Sequence, residues 1–135
     1  MKALSGLLAL VLLSLSLASC PTASYTLTGT LNKTGVADGT FGGVKLVSAG
    51  DTMTAAATYW AKSTPFSGGS ASYSIEGIAP DEYSVYAFID VNGDVAWGPA
   101  AVPDSGSWAS TDSQDITMND DETLNFQDNS FSTVH

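Results

Sequence analysis

The chain has 135 residues with 14 acidic side chains, four lysines and one histidine, a formal net charge of −10 at neutral pH. This length allows one domain, and the acidity makes nucleic acid and anionic bilayers poor electrostatic partners. The single cysteine excludes a disulfide within the chain.

The chain opens with the features of an export signal. Lys2 is followed by an apolar run from Ala3 to Leu17, which is too short and wrongly flanked for a stable transmembrane span. We therefore expect residues 1–19 to be a signal peptide. Its removal takes away one lysine and no acid, so the mature chain is one unit more negative.

A lipid anchor is expected at the end of this signal. The run Leu17-Ala18-Ser19-Cys20 resembles the bacterial lipobox, an aliphatic residue and two small residues before a cysteine. The resemblance implies that Cys20 carries diacylglyceryl and palmitate-type chains, which give stable membrane attachment and leave no thiol for catalysis or metal binding. The alternative is an ordinary secretory signal with a chance cysteine.

Residues 20–23 form the expected lipidated tether. In Gram-negative lipoproteins that this signal resembles, an aspartate after the cysteine retains the protein in the inner membrane, and here that position is Pro21. The resemblance thus favours the outer membrane, while a Gram-positive host would hold the protein at its cell membrane. Residues 21–23 let the domain stand only about 10–15 Å from the headgroups.

Strand-like alternation begins directly after the tether. Residues 24–31 place Tyr25, Leu27 and Leu31 on one face and threonines on the other, which indicates a half-buried strand. The glycine-rich residues 32–43 predict a loop.

The next segment is less regular. Residues 44–46 alternate around an outward Lys45, and residues 48–51 predict a turn. In residues 52–62 the apolar side chains fit helical spacing, whereas the threonines and aromatic residues favour an extended chain. We expect a strand there.

The clearest strands lie in the middle of the chain. Residues 72–76 alternate, and Pro80-Asp81 is typical of a type I turn. Residues 83–90 then place Tyr83, Val85, Ala87 and Ile89 on one face and further aromatic residues on the other. Apolar side chains on both faces predict a central strand.

The last third alternates between irregular and short extended segments. Residues 91–114 show no period and predict a long loop, which is unusual in a compact domain. Two short runs, residues 116–118 and 124–126, flank the acidic turn 119–122. About seven strands with regular turn signals predict an all-β sandwich.

A family resemblance supports this fold. Residues 72–94, S-Y-S-I-E-G-I-A-P-D-E-Y-S-V-Y-A-F-I-D-V-N-G-D, resemble carboxypeptidase regulatory-like and collagen-adhesin B-type domains, although Asp81-Glu82 replaces the glycine of their turn. The resemblance implies a prealbumin-like, immunoglobulin-like Greek-key β-sandwich over residues 24–127, with residues 128–135 as a C-terminal tail. Such a resemblance implies fold rather than activity.

The composition disfavours an enzyme. Acid-base and nucleophilic catalysis need a base held beside the reacting group, and the only imidazole is His135 at the mobile chain end. Prealbumin-like hydrolases that open purine-derived rings use histidine and arginine, and this chain has no arginine. We expect no catalytic activity.

One loop has the spacing of a calcium site. Asp90, Asn92 and Asp94 place side-chain oxygens at positions 1, 3 and 5, although the glycine and glutamate that complete an EF-hand are missing. Similar loops bind Ca²⁺ in the B-type relatives, with further carboxylates from elsewhere; the candidates here are Asp104, Asp112 and Asp115. The alternative is a hydrogen-bonded turn without metal.

Two tryptophans in the irregular stretch are candidate binding residues. An exposed indole at Trp97 or Trp108 would stack on a sugar or anchor a protein partner, whereas loop tryptophans also fold back onto the core. Tyr59-Trp60 is a weaker candidate because a strand is expected there.

These observations predict a lipid-anchored, non-catalytic binding or structural module of the bacterial envelope. Its partners would be the membrane through Cys20 and an envelope protein or polysaccharide through residues 90–110. The alternative function is a carrier of a small apolar ligand inside the sandwich, which requires an interior cavity.

Overall fold

A computed structural model describes residues 21–135; the expected signal peptide and Cys20 lie outside the described residues. The described part contains nine strands and one 3₁₀ turn, Asp128–Ser130. The strands are β1 Tyr25–Asn32, β2 Phe41–Ser48, β3 Tyr59–Lys62, β4 Ser70–Ile78, β5 Glu82–Asp90, β6 Trp108–Ser110, β7 Gln114–Thr117, β8 Glu122–Thr123 and β9 Phe131–Thr133.

The strands form two sheets. In the small sheet the order is β4-β1-β8, with β1 antiparallel to β4 and parallel to β8. In the large sheet the order is β3-β2-β5-β6-β9, and β7 pairs with the first half of β5. β5 is thus a central strand, as its two apolar faces predicted.

The core lies between the two sheets. Leu27 and Leu31 of β1 meet Val44 and Leu46 of β2 and the inward residues of β5, all essentially inaccessible to solvent. This arrangement confirms the all-β sandwich. The number of strands is nine rather than about seven, because two three-residue strands, β6 and β9, escape detection by alternation.

The second strand starts earlier than expected. β2 begins at Phe41 and includes Gly42 and Gly43, which the sequence assigned to a loop. A side chain at Gly42 would collide with Leu31, and one at Gly43 would come within 2.6 Å of the Phe88 ring. Glycine occupies these strand positions because neighbouring groups approach the backbone closely.

Two other segments differ from expectation. Of residues 52–62, only Tyr59–Lys62 form a strand; the preceding residues are turns. Residues 128–135, expected as a tail, contain β9, which pairs with β6 and buries Phe131. β6 and β9 have three residues each, too few to show a period in the sequence.

The sandwich has two ends, the Tyr25 end and the Asp90 end. At the Tyr25 end, β1 and β5 begin and β4 ends, and Ile78 pairs with Tyr25. At the Asp90 end, β1 and β5 finish and β2 begins, because Phe41 pairs with Asp90. Residues 33–40 and 91–107 leave the sheets at the Asp90 end.

The large sheet is covered on its outer face as well. Lys45 Nζ donates hydrogen bonds to the carbonyl oxygens of Met53 at 2.7 Å and Ala101 at 3.1 Å. The Ala57 N–H donates to the Pro99 carbonyl at 2.8 Å. These bonds hold residues 49–58 and 95–101 together as a layer over β2 and β5.

Candidate functional site

Asp90 organises the loop that follows β5. It is 5% exposed, and its two carboxylate oxygens accept the backbone N–H groups of Gly93 at 2.8 Å and Val95 at 3.2 Å. Gly93 has a φ of +78°, in the left-handed region that glycine adopts without strain. The expected turn is therefore present, and Asp90 builds it.

Two further carboxylates converge on Asp90. Asp90, Asp94 and Asp104 each offer an oxygen, and these three oxygens lie within 4.8 Å of one another. Oxygens that share one Ca²⁺ lie at most about 5 Å apart, since each Ca–O bond is about 2.3–2.6 Å. The cluster thus offers three hard oxygen donors at the spacing of a shared Ca²⁺, which takes about six to eight oxygen ligands in all.

Asn92 lies beside the carboxylate cluster. Its side-chain nitrogen donates a hydrogen bond to Asp104 Oδ2 at 2.9 Å, and the Ser107 hydroxyl donates to Asp104 Oδ1 at 2.8 Å. The structure therefore brings together two predicted ligands, Asp90 and Asp94, with Asp104 as the third carboxylate. Asn92 orients Asp104 through its side-chain nitrogen.

The close carboxylates change one another's protonation. The pKa of Asp94 is raised by a hydrogen bond with Asp104, by desolvation and by the negative charges nearby. Hydrogen bonds from Asn92, Ser107 and Asp94 lower the pKa of Asp104 to about 2. The negative charges of the three carboxylates lie close together, and a bound cation would offset their repulsion.

The sequence signal for the third carboxylate is weak. Asp104 lies ten positions beyond Asp94 and belongs to no motif, so the sequence does not distinguish it from Asp112 and Asp115. Asp115 instead accepts the Ser84 hydroxyl at 2.8 Å, near the Tyr25 end, and Asp112 is outside the cluster. Only the fold of residues 95–107 selects Asp104.

Trp97 is packed on the sheet rather than fully exposed. Its ring stacks on Phe88 with centroids 5.6 Å apart, and Lys62 Nζ lies 5.0 Å from its centroid and 3.8 Å from that of Phe41. Trp97 thus links the loop after Asp90 to β3 and β5. Its half-buried ring packs on Phe88 and leaves part of the indole accessible to solvent.

Trp108 lies on β6 and not in a loop. It pairs with Ile89 and Thr133, and its half-buried ring packs against the core. Lys33 Nζ lies 4.2 Å from the ring centroid and also forms an ion pair with Asp128. These contacts occupy much of the indole surface, so Trp108 is mainly a packing residue.

Trp60 is the more accessible tryptophan. It is 38% exposed on edge strand β3, and it lines a hollow of about 10 Å³ together with Trp97, Gly43 and Ala101. The sequence indicates that Trp60 points outward, because alternation over residues 59–62 places Trp60 and Lys62 on the outer face of β3. Trp60 thus joins Trp97 and Trp108 as a candidate binding residue.

Comparisons with known proteins give no assignment. No family model matches the chain, and no curated protein is significantly similar to it. Among residues 21–135, no helix has the length and apolar character needed to cross a membrane. The geometry of the Asp90 end is therefore the basis for a functional proposal.

Proposed function

We propose that this chain is a bacterial envelope lipoprotein, anchored through a lipidated Cys20, whose β-sandwich is a non-catalytic binding module. The lipobox-like run ending at Cys20 supports the anchor and a location on the exported side of a membrane. The resemblance of residues 72–94 to carboxypeptidase regulatory-like domains supports a prealbumin-like module.

One observation carries the binding role, namely the gathering of candidate groups at the Asp90 end. Asp90 and Asp94 precede Trp97 in the chain and Asp104 follows it, so the three carboxylates flank the Trp97 loop. Lys62 contacts the Trp97 ring. The loop is held by its own hydrogen bonds and by the stack on Phe88. A loop ordered before binding loses little entropy when a partner docks.

The side chains indicate the chemistry of the partner. The exposed Trp60 indole, next to Trp97 and Lys62, offers an apolar face for a sugar ring or an apolar peptide side chain. Calcium bound by the three carboxylates would fix the loop beside this surface. An envelope polysaccharide or protein fits these groups, and polysaccharide is the class tested below.

The packing of the described residues favours this role over the carrier function. A carrier needs an interior cavity, but the residues between the sheets are closely packed. The hollow beside Trp60 lies on the outer face of the large sheet, and its volume of about 10 Å³ is that of a single water molecule.

The anchor is tested on the full-length protein produced in a bacterial host. Mass spectrometry should find an acylated N-terminal peptide beginning at Cys20, and a Cys20→Ser variant should leave the detergent-phase fraction. An unmodified mature N-terminus at another residue would contradict the proposal.

The binding role is tested by sedimentation with the insoluble polysaccharide of the bacterial envelope. We expect Trp60→Ala to reduce the bound fraction about tenfold, because removal of a central aromatic contact costs on the order of 1–2 kcal/mol. Its melting temperature should change little since the side chain is partly exposed. Glu76→Gln, on the exposed face of β4, is the matched control and should bind as the unaltered protein does.

Equal binding of Trp60→Ala and Glu76→Gln to the polysaccharide would contradict this choice of partner class. Failure of the unaltered protein to bind would contradict it too. The anchor experiment is independent of that result.

A further inference from the structure

The two ends of the sandwich differ in charge. Five exposed carboxylates surround the Tyr25 end: Asp81, Glu82, Asp120, Asp121 and Glu122. Their position follows from the hydrogen bond of the Thr26 N–H to Asp121 at 2.8 Å and from the bond of the Met118 N–H to the Asp81 carbonyl at 2.9 Å.

The lysines of the described residues lie elsewhere. Lys33 and Lys62 are at the Asp90 end, where they contact Trp108 and Trp97, and Lys45 is buried in the large sheet. The outer face of the small sheet presents threonine, serine and Glu76. Among residues 21–135, neither the Tyr25 end nor this face offers a cation or an apolar patch to a lipid surface.

The length of the tether restricts how the domain can turn. Cys20 precedes Tyr25 by five positions, which span at most about 17 Å when extended. β1 has eight residues and therefore separates the two ends by about 25 Å. The tether is shorter than the sandwich, so the domain cannot invert while Cys20 stays in the bilayer.

From these observations we infer that the anchored domain stands end-on, with its Tyr25 end toward the headgroups and its Asp90 end directed into the aqueous compartment. Repulsion between the five carboxylates and anionic headgroups extends the tether rather than letting the domain rest on the lipid. The surface formed by the Asp90 loop and the tryptophans thus faces a partner outside the anchoring bilayer. This inference rests on the proposed lipid anchor.

The orientation is measured with two lipidated variants, each of which carries one fluorophore. Asn119 at the Tyr25 end and Asn129 at the Asp90 end are both exposed asparagines. The chain has a single cysteine, which acylation blocks, so Asn119→Cys and Asn129→Cys each introduce one reactive thiol. The labelled proteins are reconstituted into phosphatidylglycerol vesicles that contain a headgroup-labelled energy acceptor of short range.

We expect energy transfer from the Asn119→Cys label to exceed that from the Asn129→Cys label, because Asn119 adjoins the Tyr25 end whereas Asn129 follows Asp128, which pairs with Lys33 beyond β1. Equal transfer indicates a domain lying flat and overturns the inference alone, as does a larger transfer from Asn129→Cys. Failure of the protein to float with the vesicles overturns the anchor and the inference together.

Discussion

Lys45 shows how one side chain holds an irregular layer in place. It is 2% exposed, and its partners are two carbonyl oxygens, those of Met53 and Ala101. Burial lowers the pKa of this lysine from its ordinary value of 10.5. The ammonium group therefore connects residues 49–58 with residues 95–101, which belong to neither sheet. Its removal from water opposes part of this stabilisation.

Replacement of Lys45 by methionine tests this role. The apolar stem is retained but two carbonyls lose their donor, so we expect a loss of about 1–3 kcal/mol in unfolding free energy. Hydrogen exchange of the Ala57 N–H, which bonds to Pro99, should accelerate. Lys62→Met is the control, and it should cost less than about 1 kcal/mol because that lysine is exposed.

The pH dependence gives a second readout. Because the pKa of Lys45 is lower in the folded protein, the unfolded chain binds more protons below pH 10.5, and the stability of the unaltered protein should rise across that window. Lys45→Met should lack this rise. Equal pH profiles for the two proteins would show that the lysine is not desolvated.

At the scale of the element, predictability followed strand length. The long strands β1, β4 and β5 were predicted because alternation over residues 24–31, 72–76 and 83–90 marks a buried face. β6 and β9 were not, because three residues contain too little pattern. Their position depends on pairing with β5 and with each other, which is a tertiary interaction.

The Asp90 loop could be predicted only in part, because some of its contacts are local in the sequence and others are not. The spacing of Asp90, Asn92 and Asp94 indicated local geometry, and the turn and the closeness of two carboxylates follow from it. The choice of Asp104 and the inward packing of Trp97 depend on the path of residues 95–107. No local pattern encodes that path.

Calcium binding is the prediction for this loop. With a Kd of about 0.2 mM, 2 mM Ca²⁺ should stabilise the domain by about 1.4 kcal/mol and raise its Tm by about 5 °C. Asp94→Asn combined with Asp104→Asn should abolish the shift, whereas Asp112→Asn, outside the cluster, should preserve it. Asp90 is left unchanged in this test since it also builds the turn.

A calorimetric titration checks the same prediction directly. Heat of binding should appear with Ca²⁺ and be much weaker with Mg²⁺, which demands closer octahedral ligands. Absence of Ca²⁺ heat, together with an unchanged melt in chelator, would leave Asp90 to Asp94 as a turn without metal.

At the scale of the whole molecule, both sheets share one core. β5 contributes side chains to the core on one face and packs under residues 49–58 and 95–101 on the other. The small sheet, the large sheet and the outer layer therefore depend on the same strand. This arrangement predicts a single cooperative unfolding transition for residues 21–135.

Val85→Asp tests that cooperativity. Val85 is 0% exposed at the centre of β5, so the substitution buries an unpaired carboxylate and should cost several kcal/mol, a large share of the stability of a domain this size. We expect loss of the near-ultraviolet circular dichroism of all three tryptophans together. Ser74→Asp, on the exposed face of β4, introduces the same charge into a strand and should shift Tm by only a few degrees, because the carboxylate stays in water. If Val85→Asp instead lost the near-ultraviolet signal while the small sheet kept its protection from hydrogen exchange, the two sheets would unfold as separate units.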